Sequence, residues 1–173
     1  MNQMESLPVR LARESLRFFL EHAAVMPVPS GELPPELANR AGVFVSLKKK
    51  GQLRGCIGTI LPTQSSAAKE IIRNAVSAAT EDPRFSRVRP SELEELEVSV
   101  DILSAPERIE SITQLDPRRY GVIVRHGGRS GVLLPDLEGI DSPEEQVDIA
   151  CQKAGINAGE SVDLYRFEVT RYH

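Results

Sequence analysis

The stretch GVFVSLKKKGQLRGCIGTIL, residues 42–61, contains two β-prone runs on either side of a tip of lysines and glycine. Apolar residues alternate along the first run, as they do on a strand with one buried face: Val43, Val45 and Leu47. On the second run Leu53 and Ile57 continue the apolar face, so both are expected to point into the core. The pattern therefore predicts a β-hairpin with a solvated tip.

Amphipathic helices are expected on both sides of this hairpin. Apolar residues recur at helical spacing over residues 7–24 and over the alanine-rich residues 65–82, where Pro83 ends the run. The sequence SPEE at residues 142–145 is a capping box with proline at the first helical position. It predicts the start of a third helix, which Gly155 is expected to end.

Further strands are predicted between and after the helices. The sequence EVSVDIL at residues 97–103 alternates strictly, residues 120–135 contain a second hairpin with a Gly-Gly turn, and LYRFEV at residues 164–169 supplies a last strand. Strands and helices are thus interspersed, but at least two strand pairs are hairpins. We therefore expect an α+β fold with a largely antiparallel sheet flanked by helices.

The charge of the chain argues against a nucleic-acid-binding protein. The sequence has 21 lysines and arginines against 25 aspartates and glutamates, a net charge of −4. Nucleic-acid-binding domains usually carry a basic excess on one face. The densest basic stretch runs from Lys48 to Arg54, and a local patch there stays open as an alternative.

The cysteines and histidines predict neither disulfides nor a metal site. Cys56 and Cys151 are far apart and lack CxxC spacing, and no histidine has metal-ligand spacing to another histidine or to a cysteine. Cys151 is expected to lie in the core. No run approaches the 18 apolar residues of a membrane span. We therefore expect a cytoplasmic protein that does not cross a membrane, and the sequence identifies no cofactor.

Arg54 and Cys56 are the first candidates for chemistry. Side chains two residues apart on a strand share a face about 6.5 to 7 Å apart, so both are expected to point away from the core, with Gly58 leaving a gap beside the thiol. A guanidinium near a thiol favours the reactive thiolate. The alternative is that Cys56 is a small buried residue, Arg54 pairs with a glutamate, and the glycines serve a bulge.

Two other polar stretches are weaker candidates. Asp82 and Arg84 lie around the proline that ends the alanine-rich helix, and they either orient a substrate or pair with each other to cap the turn. The sequence HGGRSG at residues 126–131 lacks the spacing of a phosphate-binding loop, so a hairpin turn is the better prediction. His126 is the best histidine candidate for a base, but the sequence pairs it with no nucleophile.

The order of the motifs resembles that of the AMMECR1 family. The resemblance runs from about residue 9 to residue 170 and rests on five segments: LRGCIGT at 53–59, DPRF at 82–85, ELEELEVSVDILSAPE at 92–107, GVLLP at 131–135 and CQKAGI at 151–156. It implies a single AMMECR1-type domain over residues 1–173. In that family the fold looks two-lobed, with a larger lobe built from both termini, a smaller middle lobe and a cleft that contains the LRGCIG segment.

The family has no established biochemical activity, but the LRGCIG segment is proposed as its active or binding site. The resemblance thus implies Cys56 and Arg54 as catalytic candidates, with Asp82 and Arg84 among the binding candidates. The remaining binding candidates come from the motif itself: Leu53, Gly55, Ile57, Gly58 and Thr59. The resemblance also implies a pathway shared with a Memo-like protein and a radical SAM protein, the AmmeMemoRadiSam system.

Three functions are therefore compared below. The first is an enzyme, or a component of one, with its site at the LRGCIG segment. The second is a non-catalytic adaptor that presents this segment to a partner. The third, nucleic-acid binding through residues 48–54, is opposed by the acidic total.

Overall fold

Two four-stranded antiparallel sheets, each packed against helices, form the fold in a computed structural model that describes residues 4–173. The chain divides into two units. The first comprises the chain up to Leu103 together with Thr170–His173, and the second is Ser104–Val169. Each unit contains one of the sheets, so each is described separately.

The first unit contains the predicted hairpin and the two predicted helices on either side of it. Its sheet has the strand order β2-β1-β3-β8, and β1 runs antiparallel to both β2 and β3. The helices and strands, with a 3₁₀ turn at Pro90–Glu95, are α1 (Leu7–His22), α2 (Pro35–Ala38), β1 (Gly42–Lys49), β2 (Gln52–Thr59), α3 (Ala67–Thr80), β3 (Leu96–Leu103) and β8 (Val169–Tyr172).

The core of the first unit lies where α1 and α3 pack on one face of this sheet. Leu16 on α1, Ile71 on α3 and Val45 on β1 are completely buried there. Burying an aliphatic side chain of this size contributes roughly 1.5 to 3 kcal/mol. Helix α3 begins where the Ser66 hydroxyl accepts the backbone N–H of Lys69, an N-cap that replaces one missing helical hydrogen bond.

The second unit has the strand order β4-β7-β5-β6, with the predicted hairpin at its edge. Helix α4 begins at the predicted N-cap, where the Ser142 hydroxyl accepts the N–H of Glu145, while the Glu145 carboxylate accepts the N–H of Asp141, and the helix ends at Gly155 with φ of 69°. A second 3₁₀ turn lies at Ile112–Gln114, and the other elements are β4 (Glu107–Ile109), β5 (Gly121–His126), β6 (Arg129–Leu133), α4 (Pro143–Ala154) and β7 (Asp163–Phe167).

The α+β class and the two antiparallel hairpins are confirmed. The short elements α2, β4 and β8 and the 3₁₀ turn at Ile112–Gln114 were not predicted. Strand β4 and helix α2 are only three and four residues long. The last strand, predicted at residues 164–169, ends at Phe167 as β7, and Val169 begins β8, because Glu168 between them bonds to Ser104 through its N–H and its carbonyl. The single domain over residues 1–173 and the cleft between its lobes stay predictions.

Helix length and composition bear on membrane insertion. No helix within residues 4–173 combines the length and the apolar character that are needed to cross a bilayer.

Candidate functional site

A β-bulge interrupts the LRGCIG segment at Arg54. Leu47 on β1 faces Gly55 on β2, but the next residue, Lys48, faces Leu53, so Arg54 is an extra residue with no partner across the ladder. An extra residue reverses the alternation of side chains on its strand. Leu53 therefore turns away from the core and is 38% exposed, and the prediction that it points inward is wrong.

The Arg54 side chain binds a glutamate and a neighbouring loop. Its Nε and Nη2 donate to the two carboxylate oxygens of Glu92 at 3.0 and 3.1 Å. Its Nη1 and Nη2 also donate to the carbonyls of Ser86 and Arg87 at 2.7 and 3.2 Å. Lys49 binds the same carboxylate, and only 14% of the Arg54 side chain is exposed. The alternative in which Arg54 pairs with a glutamate is therefore confirmed.

These cations fix the charge of Glu92. Hydrogen bonds from Arg54, together with the backbone N–H of Arg89 and the Lys49 ammonium, lower the pKa of Glu92 to about 2. The carboxylate thus stays ionised at neutral pH, and half-burial between two cations holds it in place.

The Cys56 thiol lies on the other face of the sheet from Arg54. Ser46 is the partner of Cys56 across the ladder, and it alternates with the buried Val45 and Leu47. The Cys56 sulfur is 3.2 Å from the Ser46 hydroxyl oxygen. The prediction that guanidinium and thiol share an outward face is therefore wrong, because the bulge at Arg54 turns the two side chains apart.

The two glycines of the segment are explained by close packing. A Cβ on Gly55 would lie 2.1 Å from the backbone oxygen of Ala78 on α3, and a Cβ on Gly58 would lie 2.2 Å from the Phe44 ring. Gly55 therefore lies on the face of the sheet that α3 covers. The gap expected beside Gly58 is filled by the Phe44 ring, so that expectation is wrong.

Asp82 and Arg84 pair with each other and also hold the free edge of β2. Arg84 donates to both carboxylate oxygens of Asp82 at 3.0 and 2.8 Å, while Asp82 accepts the backbone N–H of Cys56 at 3.0 Å. These bonds hold the pKa of Asp82 well below its usual range, and those from the Arg84 side chain have the largest effect. Asp82 raises the pKa of Arg84 in turn, chiefly through the hydrogen bonds between them.

A cavity of about 460 Å³ is lined by Ser46, the cross-strand neighbour of Cys56, although Cys56 itself does not line it. We call it the Ser46 cavity; among the residues that line it are Ser46, Lys48, Leu53, Glu97 and Ser99. Ser46 lies between the cavity and the Cys56 sulfur, and the outward turn of Leu53 supplies part of the apolar wall. Ser46 and Ser99 were not predicted as site residues. Only the strand register shows that Ser46 lies opposite Cys56 and that Ser99 lies opposite Ser46.

The other candidates of the motif have structural contacts. Ile57 packs against the core, as expected. Thr59 belongs to a buried polar cluster, where its hydroxyl donates to Glu70 at 3.0 Å and accepts from the Asn74 amide at 3.1 Å. The sequence analysis missed this cluster, although Glu70 and Asn74 are four residues apart on an apolar helix face.

In the second unit, His126 and Cys151 have local partners. His126 Nδ1 lies 2.5 Å from the carbonyl oxygen of Ser161. Cys151 packs against the core as predicted, and burial, together with the charge of Asp148, raises the pKa of its thiol. Within residues 4–173 no group of histidine, cysteine and acidic side chains is arranged to hold a metal ion.

The fold and this site define a class: α+β proteins with a cysteine on a bulged edge strand beside a surface cavity. A family model described as AMMECR1 matches residues 9–172, and the chain belongs to the AMMECR1 family.

Relatives and a solved structure agree with this assignment. A protein of Thermotoga maritima is 55% identical over 83% of this chain and 84% of its own length. Protein CA_C1420 of Clostridium acetobutylicum is 48% identical over 95% of the chain, which spans only 35% of that protein. The crystal structure of the uncharacterized protein PH0010 from Pyrococcus horikoshii has a TM-score of 0.84 and 34% identity, covering 95% of this chain and 88% of that one. These names state no activity.

Proposed function

We propose that this protein is an enzyme, or a component of one, whose reacting group is the Cys56 thiol. The observation that carries the proposal is the position of the thiol: its sulfur is 3.2 Å from the Ser46 hydroxyl, and Ser46 lines a cavity of about 460 Å³. Cys56 is half-buried beside Ser46, so part of its surface stays exposed while the strand holds it in place. Cleft-like sites of this size are usual for small molecules.

The neighbouring side chains support a nucleophilic role. A hydroxyl can accept a hydrogen bond from a thiol and donate one to a thiolate, so Ser46 suits both forms of Cys56. The Arg84 guanidinium lies near Cys56, and its two bonds to Asp82 hold it there. Asp82 holds the backbone N–H of Cys56 and thereby fixes where the sulfur points.

Arg54 is proposed as a positioning residue. Because it binds the carbonyls of Ser86 and Arg87, it holds the loop that also contains Asp82 and Arg84. In this proposal Arg54 affects the thiol through that loop, and a ligand need not touch it at the Ser46 cavity.

The experiment compares the alkylation rates of the two cysteines by iodoacetamide at pH 7, followed by peptide mass spectrometry. Cys56 is expected to keep reacting in the folded protein, because its half-buried sulfur lies beside the Ser46 hydroxyl and close to Arg84. Cys151 is the internal control and should react more slowly when folded, since burial raises the pKa of its thiol. Arg84→Gln should slow Cys56 about threefold and leave Cys151 unchanged.

A Cys56 that is protected by folding as strongly as Cys151 would refute the thiol chemistry. An unchanged rate in Arg84→Gln would remove Arg84 from the proposal.

The proposed setting follows from the resemblance and from the cysteines. The family resemblance supports a pathway shared with a Memo-like protein and a radical SAM protein. Cys56 and Cys151 are both free thiols, which suits the reducing cytoplasm.

An adaptor function is a second candidate because the bulge exposes an apolar side chain. Leu53 is 38% exposed on the face that carries Ser46, where it could contact a partner protein. Leu53→Asn should then abolish co-purification with the Memo-like or radical SAM protein, while Cys56 alkylation stays unchanged. Val25→Asn is the matched control, since Val25 is 42% exposed at another place. Capture that survives Leu53→Asn would contradict the adaptor.

Nucleic-acid binding through residues 48–54 is not supported. Lys49 and Arg54, two of the cations in this stretch, bind the carboxylate of Glu92 and are only partly exposed.

A further inference from the structure

A second cavity, of about 400 Å³, lies on the side of β2 to which Arg54 points. We call it the Arg54 cavity; the residues that matter here are Lys49, Arg54, Phe85, Arg89, Ser91 and Glu92, all of which line it. Cys56 is not among the lining residues. No residue that lines it also lines the Ser46 cavity, so the two cavities are separate, and the function proposed above places no substrate here.

The charges around this cavity favour an anion. Three cations, Lys49, Arg54 and Arg89, face one carboxylate, Glu92, in a chain whose total charge is −4. A concave surface with an excess of one charge concentrates ligands of the opposite sign. The local excess is positive although the protein is acidic as a whole.

Hydrogen-bond donors remain for a ligand. A guanidinium has five N–H donors, and Arg54 uses four of them on Glu92 and on two backbone carbonyls. Arg89 is exposed and forms no ion pair within residues 4–173. The exposed Ser91 adds a hydroxyl at the same cavity. These groups could together bind the oxygens of a phosphate or a carboxylate.

Phe85 gives the cavity an apolar wall. Its ring is half-buried, and the Arg84 guanidinium lies 5.5 Å from the ring centroid. This stacking limits the freedom of the ring, and its remaining surface is available to an organic group.

We propose that the Arg54 cavity binds a small organic anion, a phosphate ester or a carboxylate. Its charged group contacts Arg89 and the free N–H of Arg54, and its organic group lies against Phe85. Inorganic phosphate alone lacks the second contact and binds more weakly.

The experiment titrates the ¹⁵N-labelled full chain with phenyl phosphate, benzoate, inorganic phosphate and phenol. Phenyl phosphate or benzoate should shift the amide resonances of Ser86, Arg89 and Ser91, and the same concentration of phenol should not. Whichever of the two anions binds more tightly identifies the charged group of the natural ligand. Inorganic phosphate should bind at least about threefold more weakly than phenyl phosphate.

Two variants and a control test the contacts. Arg89→Ala should weaken phenyl phosphate binding at least about fivefold, because it removes a charge-assisted contact from an exposed position. Phe85→Ala should weaken phenyl phosphate and leave inorganic phosphate unchanged. Arg10→Ala is the matched control, since Arg10 is an exposed arginine on α1, and it should bind like the natural protein.

Three results would overturn the site. They are the absence of shifts at Ser86, Arg89 and Ser91 with both organic anions, equal shifts with phenol, and equal affinity in Arg89→Ala and Arg10→Ala. Because the readout is binding at residues 86–91, none of them depends on whether Cys56 is reactive.

Discussion

The two units use the same packing of a hairpin against the helix that follows it. In the first, Gly55 on β2 lies against the backbone oxygen of Ala78 on α3; in the second, Gly131 on β6 lies against that of Ala150 on α4. A Cβ would come within 2.1 Å of the oxygen in the first case and 2.0 Å in the second. A glycine in the second strand thus lets the helix approach the sheet.

The two hairpins differ in what surrounds the second strand. The register of β5 and β6 continues without interruption from Val122–Leu133 to the turn, whereas β2 has its bulge at Arg54. At the free edge of β2, Asp82 accepts the backbone N–H of Cys56. Packing against a helix therefore explains Gly55, as it explains Gly131 in the second unit. Only the first hairpin also has a bulge and a cysteine in its second strand.

The largest expected effect tests the shared packing. Gly55→Ala and Gly131→Ala should each lower the free energy of unfolding by about 3 kcal/mol, because a Cβ would overlap a helix carbonyl that cannot move alone. Urea denaturation measures both. Gly128→Ala is the control and should change little, since nothing lies within 4 Å of its Cβ position. If Gly55→Ala left the free energy of unfolding unchanged, close packing against α3 would not explain Gly55.

The next effect compares two arginines that each bind a carboxylate and backbone carbonyl groups. Arg54→Met should lower the free energy of unfolding by about 2 kcal/mol, because it removes two hydrogen bonds from the half-buried Glu92 and the Arg54 donors from two backbone carbonyls. Arg129→Met in the second unit should cost less, because Arg129 and its partner Glu160 are more exposed than Arg54 and Glu92. Equal losses would show that exposure does not separate the two ion pairs.

The smallest effect concerns stability in acid. Because the pKa of Glu92 is lowered to about 2, from 4.5 for an ordinary glutamate, its contribution is complete above pH 4.5. That contribution is lost as the pH falls through 2, so the free energy of unfolding should decrease over this interval. Glu92→Gln should flatten the decrease. Glu160→Gln should flatten it less, since Arg129 lowers the pKa of a more exposed group.

Local patterns in the sequence predicted most elements of the fold. The Ser142 N-cap of α4 and the Gly-Gly turn in residues 120–135 depend on neighbouring residues, and both are confirmed, although Glu145 accepts the N–H of Asp141 instead of completing the capping box. Asp82 and Arg84 are only two residues apart, so their pairing could be proposed from the sequence as one of two alternatives.

The bulge could not be predicted, because a strand register depends on the partner strand. The alternation of Leu53 and Ile57 suggested one continuous apolar face, and a single extra residue between them reverses it. The partner of Arg54, Glu92, lies 38 residues further along the chain. Ser46 next to Cys56 is likewise a consequence of register, which the sequence alone does not contain.

The central claim is that the bulge turns Arg54 away and places Cys56 against Ser46. Ser46→Cys in a Cys151→Ala background tests it directly, because thiols on directly opposed residues of neighbouring strands can form a disulfide on oxidation. Peptide mapping should find a bond between positions 46 and 56 in almost all molecules. The control Ser99→Cys should form none, since β1 separates it from β2 by about 9.5 Å across the sheet. A Cys56 that stays a free thiol in the oxidised Ser46→Cys protein would contradict the account.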